Sequence, residues 1–327
     1  MEGSREACCY EKLENDVVLC RLCPHHCRIA DGEVGRCKAR KNEKGKLFTL
    51  NYGKVTSYYV DPIEKKPLYH FFPGKRIFSV GSFGCNLQCS FCQNWEISQK
   101  SVKGISTTAQ NLVDIGKNEK DNIGIAYTYN EPSIWYEFVY DTAKLAREAG
   151  LKNVLVTNGY IEKEPLRQLL PYIDGMNIDL KGFNKNFYHE ICGGQLEIVK
   201  DTIIESIKAC HVEITTLVID HSVEEIEEIA KWIGTQDKDI PLHLSRYFPS
   251  YKMEHPPTAI EKLHEARVKA QKHLQYVYLG NLLDIDKNTY CPTCHAVLVE
   301  RNVSTVIRNF DKGVCTNCGE KIPIIGE

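Results

Sequence analysis

The sequence of 327 residues has little net charge and no long hydrophobic segment. The 41 Lys and Arg residues nearly balance the 43 Asp and Glu residues, so the net charge is −2 and a nucleic-acid partner bound mainly through charge is not expected. The longest apolar runs are short, such as residues 123–126, whereas a membrane-spanning helix needs about 20 apolar residues. The polar N-terminus, MEGSREACCYEKLEND, has no apolar core of a secretion signal. We therefore predict a cytoplasmic protein without a membrane partner.

Cysteine is abundant in a chain whose other composition is typical of a folded globular protein. There are 15 cysteines and no secretion signal. In a reducing compartment these thiols are expected to stay reduced, so metal ligation is favoured over disulfides. Most of the cysteines fall into three clusters with the spacing of metal ligands.

A repeated strand–helix pattern occupies the middle of the chain. The predicted strands are 76–82, 123–129, 153–157, 176–180, 212–219, 242–246 and 276–279, and the predicted helices are 133–149, 196–209, 223–232 and 258–273. This alternation predicts parallel strand pairing and an α/β fold, either a complete or a partial (β/α) barrel. A doubly wound sheet is the alternative, but no Gly-x-Gly-x-x-Gly loop follows the first strand.

We predict three parts of the chain. Residues 1–75 form a Cys-rich N-terminal extension, residues 76–287 the barrel, and residues 288–327 a zinc-ribbon or rubredoxin-like C-terminal element. Basic residues are frequent between positions 38 and 46 and are interspersed with Asn, Glu and Gly, which is typical of a solvated turn.

Three cysteines follow the first predicted strand directly, in the sequence GCNLQCSFC. The thiolates of Cys85, Cys89 and Cys92 can bind three irons of a [4Fe–4S] cluster. The loop supplies no fourth cysteine, so one iron stays open to a substrate, as catalytic metal sites keep one vacant position. A zinc site completed by a distant ligand and thiols packed in the core are the alternatives.

The spacing Cys-x3-Cys-x2-Cys, with an aromatic residue before the last cysteine, resembles the signature of radical S-adenosylmethionine (radical SAM) enzymes. The stretches YGKVTSYYVDPIEKKPLYHF, CNLQCSFCQNWEIS, YTYNEPSI, VTNGY, NIDLKGF, LSRYFPSYKM and YVYLGN resemble the AmmeMemoRadiSam-system radical SAM protein family, which is similar to pyruvate formate-lyase activating enzyme. The resemblance runs from about residue 20 to residue 318. The chain departs from the family pattern at residues 218–222, where members usually carry a longer Pro-Gly-Tyr-Asn-Asp loop.

The resemblance implies a radical SAM oxidoreductase on a (β/α) barrel. In such enzymes the open iron binds S-adenosylmethionine (SAM), and one electron from the cluster cleaves SAM to a 5′-deoxyadenosyl radical that abstracts hydrogen from a substrate. Similarity to activating enzymes implies a glycyl residue of a partner protein as the substrate, and a small molecule is the alternative. It further implies an electron donor such as flavodoxin or ferredoxin, and association with Memo-like and AMMECR-like proteins.

Under this resemblance, side chains at the ends of successive strands contact SAM, because the ends of parallel strands meet at one mouth of a barrel. Glu131 follows the second strand and can accept a hydrogen bond from the methionyl ammonium. Arg246 ends the sixth strand and can bind the carboxylate through paired N–H donors. The implied cofactor-binding residues are Phe91, Tyr127, Asn130, Glu131, Thr157, Asn158, Asp179, Lys181, Ser245, Arg246, Gly280 and Asn281.

Further roles in this set come from the same resemblance. Asp179 and Lys181 match the Asp-Leu-Lys of activating enzymes, where they contact the cofactor, and Gly280 and Asn281 are expected against the adenine, with Phe91 nearby. The alternatives are purely structural. Asn-Gly and Asn-Glu-Pro sequences are also favoured at turns and helix starts, and Asp179 and Lys181 can simply pair with each other.

The C-terminal cluster comprises Cys291, Cys294, Cys315 and Cys318. Two Cys-x-x-Cys pairs separated by 20 residues are typical of a zinc ribbon. Four thiolates close a tetrahedral site, so we expect a structural zinc ion, with rubredoxin-type iron as the alternative.

The N-terminal cluster comprises Cys20, Cys23, Cys27 and Cys37, in a segment too polar to form much core. We expect zinc here ahead of a second iron–sulfur cluster that passes electrons inward, and His25 or His26 can replace one thiolate. The remaining cysteines, Cys8, Cys9, Cys192 and Cys210, have no predicted partner. A non-catalytic metal-binding protein that docks a partner is the competing hypothesis of another class.

Overall fold

The computed structural model describes residues 5–100, 102–219, 223–283, 285–302 and 306–326. Asp220, His221 and Ser222, which belong to the segment that departs from the family pattern, lie outside the described residues. No helix in the described part of the chain is long and apolar enough to cross a membrane.

An eight-stranded sheet forms the body of the chain. Its strands in chain order are β1 (Ser57–Pro62), β2 (Arg76–Gly81), β3 (Asn122–Tyr127), β4 (Lys152–Thr157), β5 (Gly175–Asp179), β6 (His211–Val218), β7 (Leu242–Arg246) and β8 (Val277–Gly280). Neighbours in the chain are neighbours in the sheet; β2 to β8 run parallel, and β1 is antiparallel to β2. Among the described residues no strand pairing joins β8 to β1 or β2, so the sheet is a partial barrel and the predicted α/β barrel class is confirmed.

Helices connect the parallel strands. They are α1 (Trp95–Gln99), α2 (Ala109–Asn118), α3 (Tyr136–Glu148), α4 (Lys163–Leu169), α5 (Leu196–Ser206), α6 (Val223–Gln236) and α7 (Ile260–Gln271). In α3, the buried residues Val139, Ala143 and Ala146 recur at three- and four-residue steps, so one stripe of the helix packs into the core. The sequence predicted α3, α5, α6 and α7. It did not predict α1, α2 and α4, and of these α1 and α4 have only five and seven residues.

The segment between β1 and β2 closes the barrel at the end where the parallel strands begin. Glu213, the third residue of β6, is fully buried and accepts hydrogen bonds from the backbone N–H groups of Tyr69 and His70 at 3.0 and 2.7 Å. The imidazoles of His211 and His243 lie 3.0 and 2.6 Å from the same carboxylate. These contacts fill this end of the barrel, and the cavity that contains the predicted site lies at the other end, where the strands finish.

The C-terminal element packs against the sealed end of the barrel. Its strands are Thr289–Tyr290, Val297–Arg301, Val306–Arg308, Phe310–Asp311 and Val314–Cys315. Arg301 donates from Nη2 to the carbonyl of Tyr69 at 2.6 Å, and the backbone of Ile325 is hydrogen-bonded to His70 and Phe72. The element therefore lies at the opposite end of the sheet from the strand ends that carry the predicted SAM contacts.

The N-terminal extension contains short antiparallel strands. They are Arg5–Glu6, Tyr10–Lys12, Val18–Cys20, Arg28–Ile29, Arg40–Glu43, Lys46–Thr49 and Lys54–Val55, the last paired with Ile105–Ser106. Arg40, which the sequence places in a solvated turn, is 1% exposed, so that expectation was wrong for this residue. The reason is tertiary: Arg40 donates from Nη2 to both carboxylate oxygens of Glu137 in α3, at 2.9 and 2.8 Å.

Candidate active site

The loop after β2 carries Cys85, Cys89 and Cys92 and is held from two sides. The Asn130 side chain accepts the backbone N–H of Ser82 at 2.9 Å and donates to the carbonyl of Gly84 at 3.0 Å. On the other side, the helical turn Phe187–Cys192 accepts backbone N–H bonds from Gln88 at 2.8 Å and Ser90 at 3.1 Å. The three thiols are therefore positioned by elements distant in sequence.

These thiols line a cavity of about 370 Å³ at the end of the sheet where the strands finish. Eleven of the predicted site residues line it, namely Cys85, Cys89, Phe91, Cys92, Asn130, Glu131, Thr157, Asn158, Asp179, Lys181 and Ser245. They come from successive strand ends, as in other barrels whose sites lie at this face. The structure therefore brings them together around one space; their roles toward SAM stay predictions.

Four predicted site residues lie outside the cavity wall. Tyr127 is fully buried, and its hydroxyl donates to Asn153 Oδ1 at 3.1 Å inside the protein. Arg246 donates from Nε to the carbonyl of Thr258 at 2.8 Å. Asn281 donates to Ser245 Oγ at 2.9 Å, and Gly280 lies beside the same serine, so both are neighbours of one wall residue.

Glu131 organises the polar side of the cavity. It is 2% exposed, and its Oε1 accepts from Ser133 N at 2.9 Å and Thr157 Oγ1 at 2.6 Å, while Oε2 accepts from Asn158 N at 2.8 Å. Burial raises the pKa of Glu131, against the effect of these donors. The carboxylate thus joins the ends of β3 and β4.

Asn158 links this network to the cysteine loop. Its Nδ2 donates to Asn86 Oδ1 at 3.0 Å and lies 3.5 Å from Cys85 Sγ, and its Oδ1 accepts from Tyr160 N at 2.8 Å. The backbone N–H of Leu87 also approaches Cys85 Sγ at 3.4 Å. Burial raises the pKa of Cys85 well above its ordinary value, and the donor Leu87 N–H acts in the opposite direction.

A cation and a further thiol lie beside Cys89. Lys181 Nζ is 2.7 Å from Asp179 Oδ2, and although burial would lower the pKa of Lys181, Asp179 and Cys89 hold it well above its ordinary value. Cys192, for which the sequence indicated no role, donates a hydrogen bond to Cys89 and lowers the pKa of that thiol, as does Lys181. Only the fold reveals Cys192, because it lies 100 residues along the chain from the cysteine loop.

Lys66 and Tyr129 are cavity residues that the sequence analysis also missed as candidates. Lys66 Nζ lies 2.9 Å from Asp61 Oδ2, the Tyr129 hydroxyl donates to the same oxygen at 3.0 Å, and burial lowers the pKa of Lys66. Lys66 lies in the stretch DPIEKKPLYHF and Tyr129 in YTYNEPSI; both stretches carry the family resemblance, but neither pattern assigns these two residues a role.

The C-terminal cysteines form a compact set. The Sγ atoms of Cys291 and Cys318 are 3.6 Å apart, those of Cys294 and Cys315 are 3.7 Å apart, and all four lie within 4.8 Å of one another. Such a set can hold one tetrahedral ion, so the predicted metal-binding group is present. The identity of the ion as zinc stays a prediction.

The N-terminal cysteines lie around a small cavity instead of forming a compact set. Cys20, Cys23, Cys27 and Cys37 line one small enclosed cavity, which His25 also lines. The imidazole of His26 instead lies 2.8 Å from the carboxylate of Glu162, outside the residues that line this space. The structure therefore brings the four predicted thiols together.

Comparisons with known proteins agree with this arrangement. A family model described as the radical SAM superfamily matches residues 79–233. An uncharacterised protein of Methanocaldococcus jannaschii is 44% identical over 335 residues, covering 98% of this chain and 99% of that protein. Another protein of the same organism, provisionally named a glycyl-radical enzyme activating enzyme, is 29% identical over 209 residues, covering 62% of this chain and 77% of that protein.

A solved structure shares the fold. Streptococcus suis SuiB bound to the precursor peptide SuiA matches with a TM-score of 0.51 at 15% identity, covering 68% of this chain and 52% of SuiB. At this identity the match shows the fold alone.

Proposed function

Since the chain belongs to the radical SAM superfamily, we propose that Cys85, Cys89 and Cys92 hold a [4Fe–4S] cluster and that the adjoining cavity of about 370 Å³ binds SAM. Together these two groups supply one-electron cleavage chemistry whose product, a 5′-deoxyadenosyl radical, abstracts hydrogen from a substrate. The observation that carries the proposal is the placement of three thiols, without a fourth on the loop, in the wall of a cavity lined by polar strand ends.

The donor set fits an anionic iron–sulfur cluster. Cys85 receives N–H donors from Leu87 and Asn158, and Cys89 has the Lys181 ammonium and the Cys192 thiol beside it. Hydrogen bonds and cations around cysteine sulfurs stabilise the negative charge of such clusters and tune their reduction potentials. The chain's own residues therefore prepare the loop for thiolates.

We assign SAM binding to the polar wall of the same cavity. Glu131 Oε2 accepts one N–H from Asn158 and keeps capacity for a second donor, such as the methionyl ammonium. Lys181 and Ser245 offer donors to the carboxylate. Tyr127 is left out of this assignment because its side chain is buried behind the sheet.

We further propose a glycyl residue of a partner protein as the hydrogen donor, reduced carriers such as flavodoxin or ferredoxin as the electron source, and Memo-like and AMMECR-like proteins as partners. The support for the glycyl residue is the relative that is provisionally named a glycyl-radical enzyme activating enzyme. A small-molecule substrate is the alternative that the experiment below distinguishes.

The first experiment measures 5′-deoxyadenosine by mass spectrometry after anaerobic reconstitution and addition of SAM and a strong reductant. We expect the product with the natural chain and with the control Cys210→Ala, whose cysteine lies outside the cavity, and no product with Cys89→Ala. Equal product from Cys89→Ala would disprove the assignment of the cluster.

The substrate is tested with extracts of the organism that encodes the chain, grown on glycine deuterated at the α-carbon. Deuterium entering 5′-deoxyadenosine from the protein fraction supports glycyl abstraction. Deuterium that enters only from the small-molecule fraction, or no deuterium despite turnover, contradicts it.

A further inference from the structure

The N-terminal cysteines differ from the C-terminal ones in the separation of their sulfur atoms. A single ion with metal–sulfur bonds of about 2.3 Å holds four sulfurs about 3.8 Å apart, as in the C-terminal set at 3.6 and 3.7 Å. In the part of the chain that the structure describes, the C-terminal set is the group whose ligand atoms all lie within 4.8 Å of one another, and Cys20, Cys23, Cys27 and Cys37 form no such group. These four thiols surround a space rather than a point.

Wider spacing fits a cluster better than a single ion. In a [4Fe–4S] cluster each cysteine binds a different iron at a corner of the core, so the four sulfurs stand farther apart than around one tetrahedral ion. The space between these cysteines is also lined by the apolar residues Leu22, Ile29 and Ile134 and by Gly35, His25, Arg36, Arg40 and Asn86. Apolar side chains together with two arginines suit a buried anionic cluster.

The loops direct backbone donors at the N-terminal thiols. Burial raises the pKa values of Cys20, Cys23 and Cys37, and the backbone N–H groups of Leu22, His25 and Ala39, each two residues after a cysteine, oppose this rise. The same arrangement occurs in the active-site loop, where Leu87 N–H approaches Cys85 Sγ at 3.4 Å. Both loops therefore have the backbone conformation that supports thiolate ligands.

A buried cation with unused donors is the independent observation. Arg40 is 1% exposed; its Nη2 pairs with Glu137, but its Nε and Nη1 have no hydrogen-bond partner among the described residues. The guanidinium lines the same space and lies close enough to Cys20 and Cys37 to interact with their charges. Buried donors without partners are rare because they are costly, so the space is built for an anionic acceptor.

We propose that Cys20, Cys23, Cys27 and Cys37 bind a second [4Fe–4S] cluster and that Arg40 donates to its acceptor sulfur atoms. This replaces zinc, which the sequence favoured, because the sequence shows ligand number but not sulfur separation. The site goes beyond the proposed function, which requires only the cluster at Cys85, Cys89 and Cys92.

The second site touches the active-site loop. A Cβ atom on Gly84 would lie 2.5 Å from the carbonyl oxygen of Cys37, and His25 Nε2 lies 2.8 Å from the carbonyl oxygen of Asn86. Asn86 lines the N-terminal space and also accepts the hydrogen bond from Asn158, which contacts Cys85. The position suits single-electron transfer. A low-potential carrier protein gives one electron to the N-terminal cluster and is itself oxidised. The reduced N-terminal cluster then passes this electron to the active-site cluster and is reoxidised.

The test uses the full chain with the substitutions Cys85→Ala, Cys89→Ala and Cys92→Ala, so that its outcome does not depend on the proposed function. After anaerobic reconstitution we expect about four iron and four acid-labile sulfide per chain, and a reduced-cluster signal in electron paramagnetic resonance (EPR). Acid-labile sulfide separates this result from rubredoxin-type iron at the C-terminal set, which contains none. A zinc ion in addition to the C-terminal one, with no sulfide, would overturn the proposal.

Two further sets of substitutions, each added to the triple variant, test which cysteines bind the cluster. Adding Cys20→Ala and Cys37→Ala should abolish the sulfide and the EPR signal, whereas adding Cys210→Ala should leave both unchanged. Sulfide that persists without Cys20 and Cys37 would assign the cluster elsewhere.

The proximity of the two clusters is tested separately by EPR. In the fully reduced natural chain, two paramagnetic clusters this close should broaden each other's EPR signals relative to the sum of the two single-site variants. A spectrum equal to that sum would contradict the proposed adjacency, while the sulfide measurement would still decide the existence of the second cluster.

Discussion

At the scale of single residues, the side chains of the candidate site are held in place by hydrogen bonds to one another. Glu131 accepts from Thr157 and Asn158, and Asn158 in turn reaches Cys85 and Asn86. A change in one member therefore affects the environment of Cys85 without changing Cys85 itself.

Asn158→Ala should lower the reduction potential of the active-site cluster. A hydrogen bond to sulfur stabilises the reduced, more negative state, and a bond of about 1 kcal/mol corresponds to about 40 mV for one electron. The measurement is a potentiometric titration followed by EPR. Asn153→Ala is the matched control, because Asn153 is also buried and hydrogen-bonded at β4 but contacts Ala143 and Tyr172 instead of the cysteine loop. If both variants keep the natural potential, Asn158 has no tuning role.

At the scale of elements, the active-site loop and the N-terminal extension are packed backbone to backbone. Gly84 has a φ of +88°, and a Cβ there would lie 2.5 Å from Cys37 O. Only glycine satisfies both conditions, since a side chain is disfavoured at this φ and has no room. The contact links the position of Cys85, which directly follows Gly84, to that of Cys37 in the N-terminal set.

Gly84→Ala should destabilise the protein more than Gly150→Ala. Gly150 has a φ of +79° but nothing within 4 Å of its added Cβ, so it measures the backbone penalty alone, about 1 kcal/mol. Gly84→Ala should lose more than this and also lower the iron content. Chemical unfolding and iron analysis of the two variants provide the comparison; equal losses in both would show that the contact with Cys37 is not tight.

At the scale of the whole molecule, the two cysteine-rich elements lie at opposite ends of the sheet. The N-terminal extension contacts the cysteine loop where the strands finish, whereas the C-terminal element contacts Tyr69, His70 and Phe72 where they begin. Their roles should therefore differ.

Removal of the C-terminal metal by Cys294→Ser should loosen the C-terminal element and leave SAM cleavage within about twofold of the natural chain. The reason is distance in the fold: the four cysteines can hold one tetrahedral ion within their own small core, and none of them lines the cavity. Hydrogen exchange should show faster exchange in residues 288–326 alone. A tenfold loss of 5′-deoxyadenosine with an intact active-site cluster would contradict this separation.

Acid should destabilise the sealed end through His70. Burial lowers the pKa of His70 to about 3, below its ordinary value of about 6.5. Between these two pKa values, His70 is protonated in the unfolded chain and neutral in the folded chain. Its contribution to the free energy of unfolding is complete above about pH 6.5 and is lost as the pH falls toward 3, at up to about 1.4 kcal/mol per pH unit.

The variant His70→Gln tests this with urea unfolding at several pH values. Its stability should depend less steeply on pH between about 6.5 and 3 than that of the natural chain, and the control His264→Gln, at an exposed position of α7, should not differ. Equal slopes for His70→Gln and the natural chain would show that His70 does not control the acid response.

Much of the fold was readable from the sequence because its signals are local. All seven parallel strands were predicted to within two residues at each end, since nearly continuous apolar runs mark strands covered on both faces. Strand β1 was missed because it lies at the edge of the sheet and none of its six residues is buried: three are half-buried and three are exposed, without a regular alternation. Short helices such as α4 were missed because two turns carry little periodicity.

The sequence by itself indicated the radical SAM superfamily, the three sets of cysteines and the strand ends that carry polar residues, because ligand spacing and apolar periodicity are properties of neighbouring residues. Only the tertiary structure decided which side chains share a space. It brought Cys192 to Cys89, turned Tyr127 and Arg246 away from the cavity, buried Arg40 beside the N-terminal thiols and separated those thiols more widely than the C-terminal ones. These are distances between residues far apart in the chain, and such distances are set by packing.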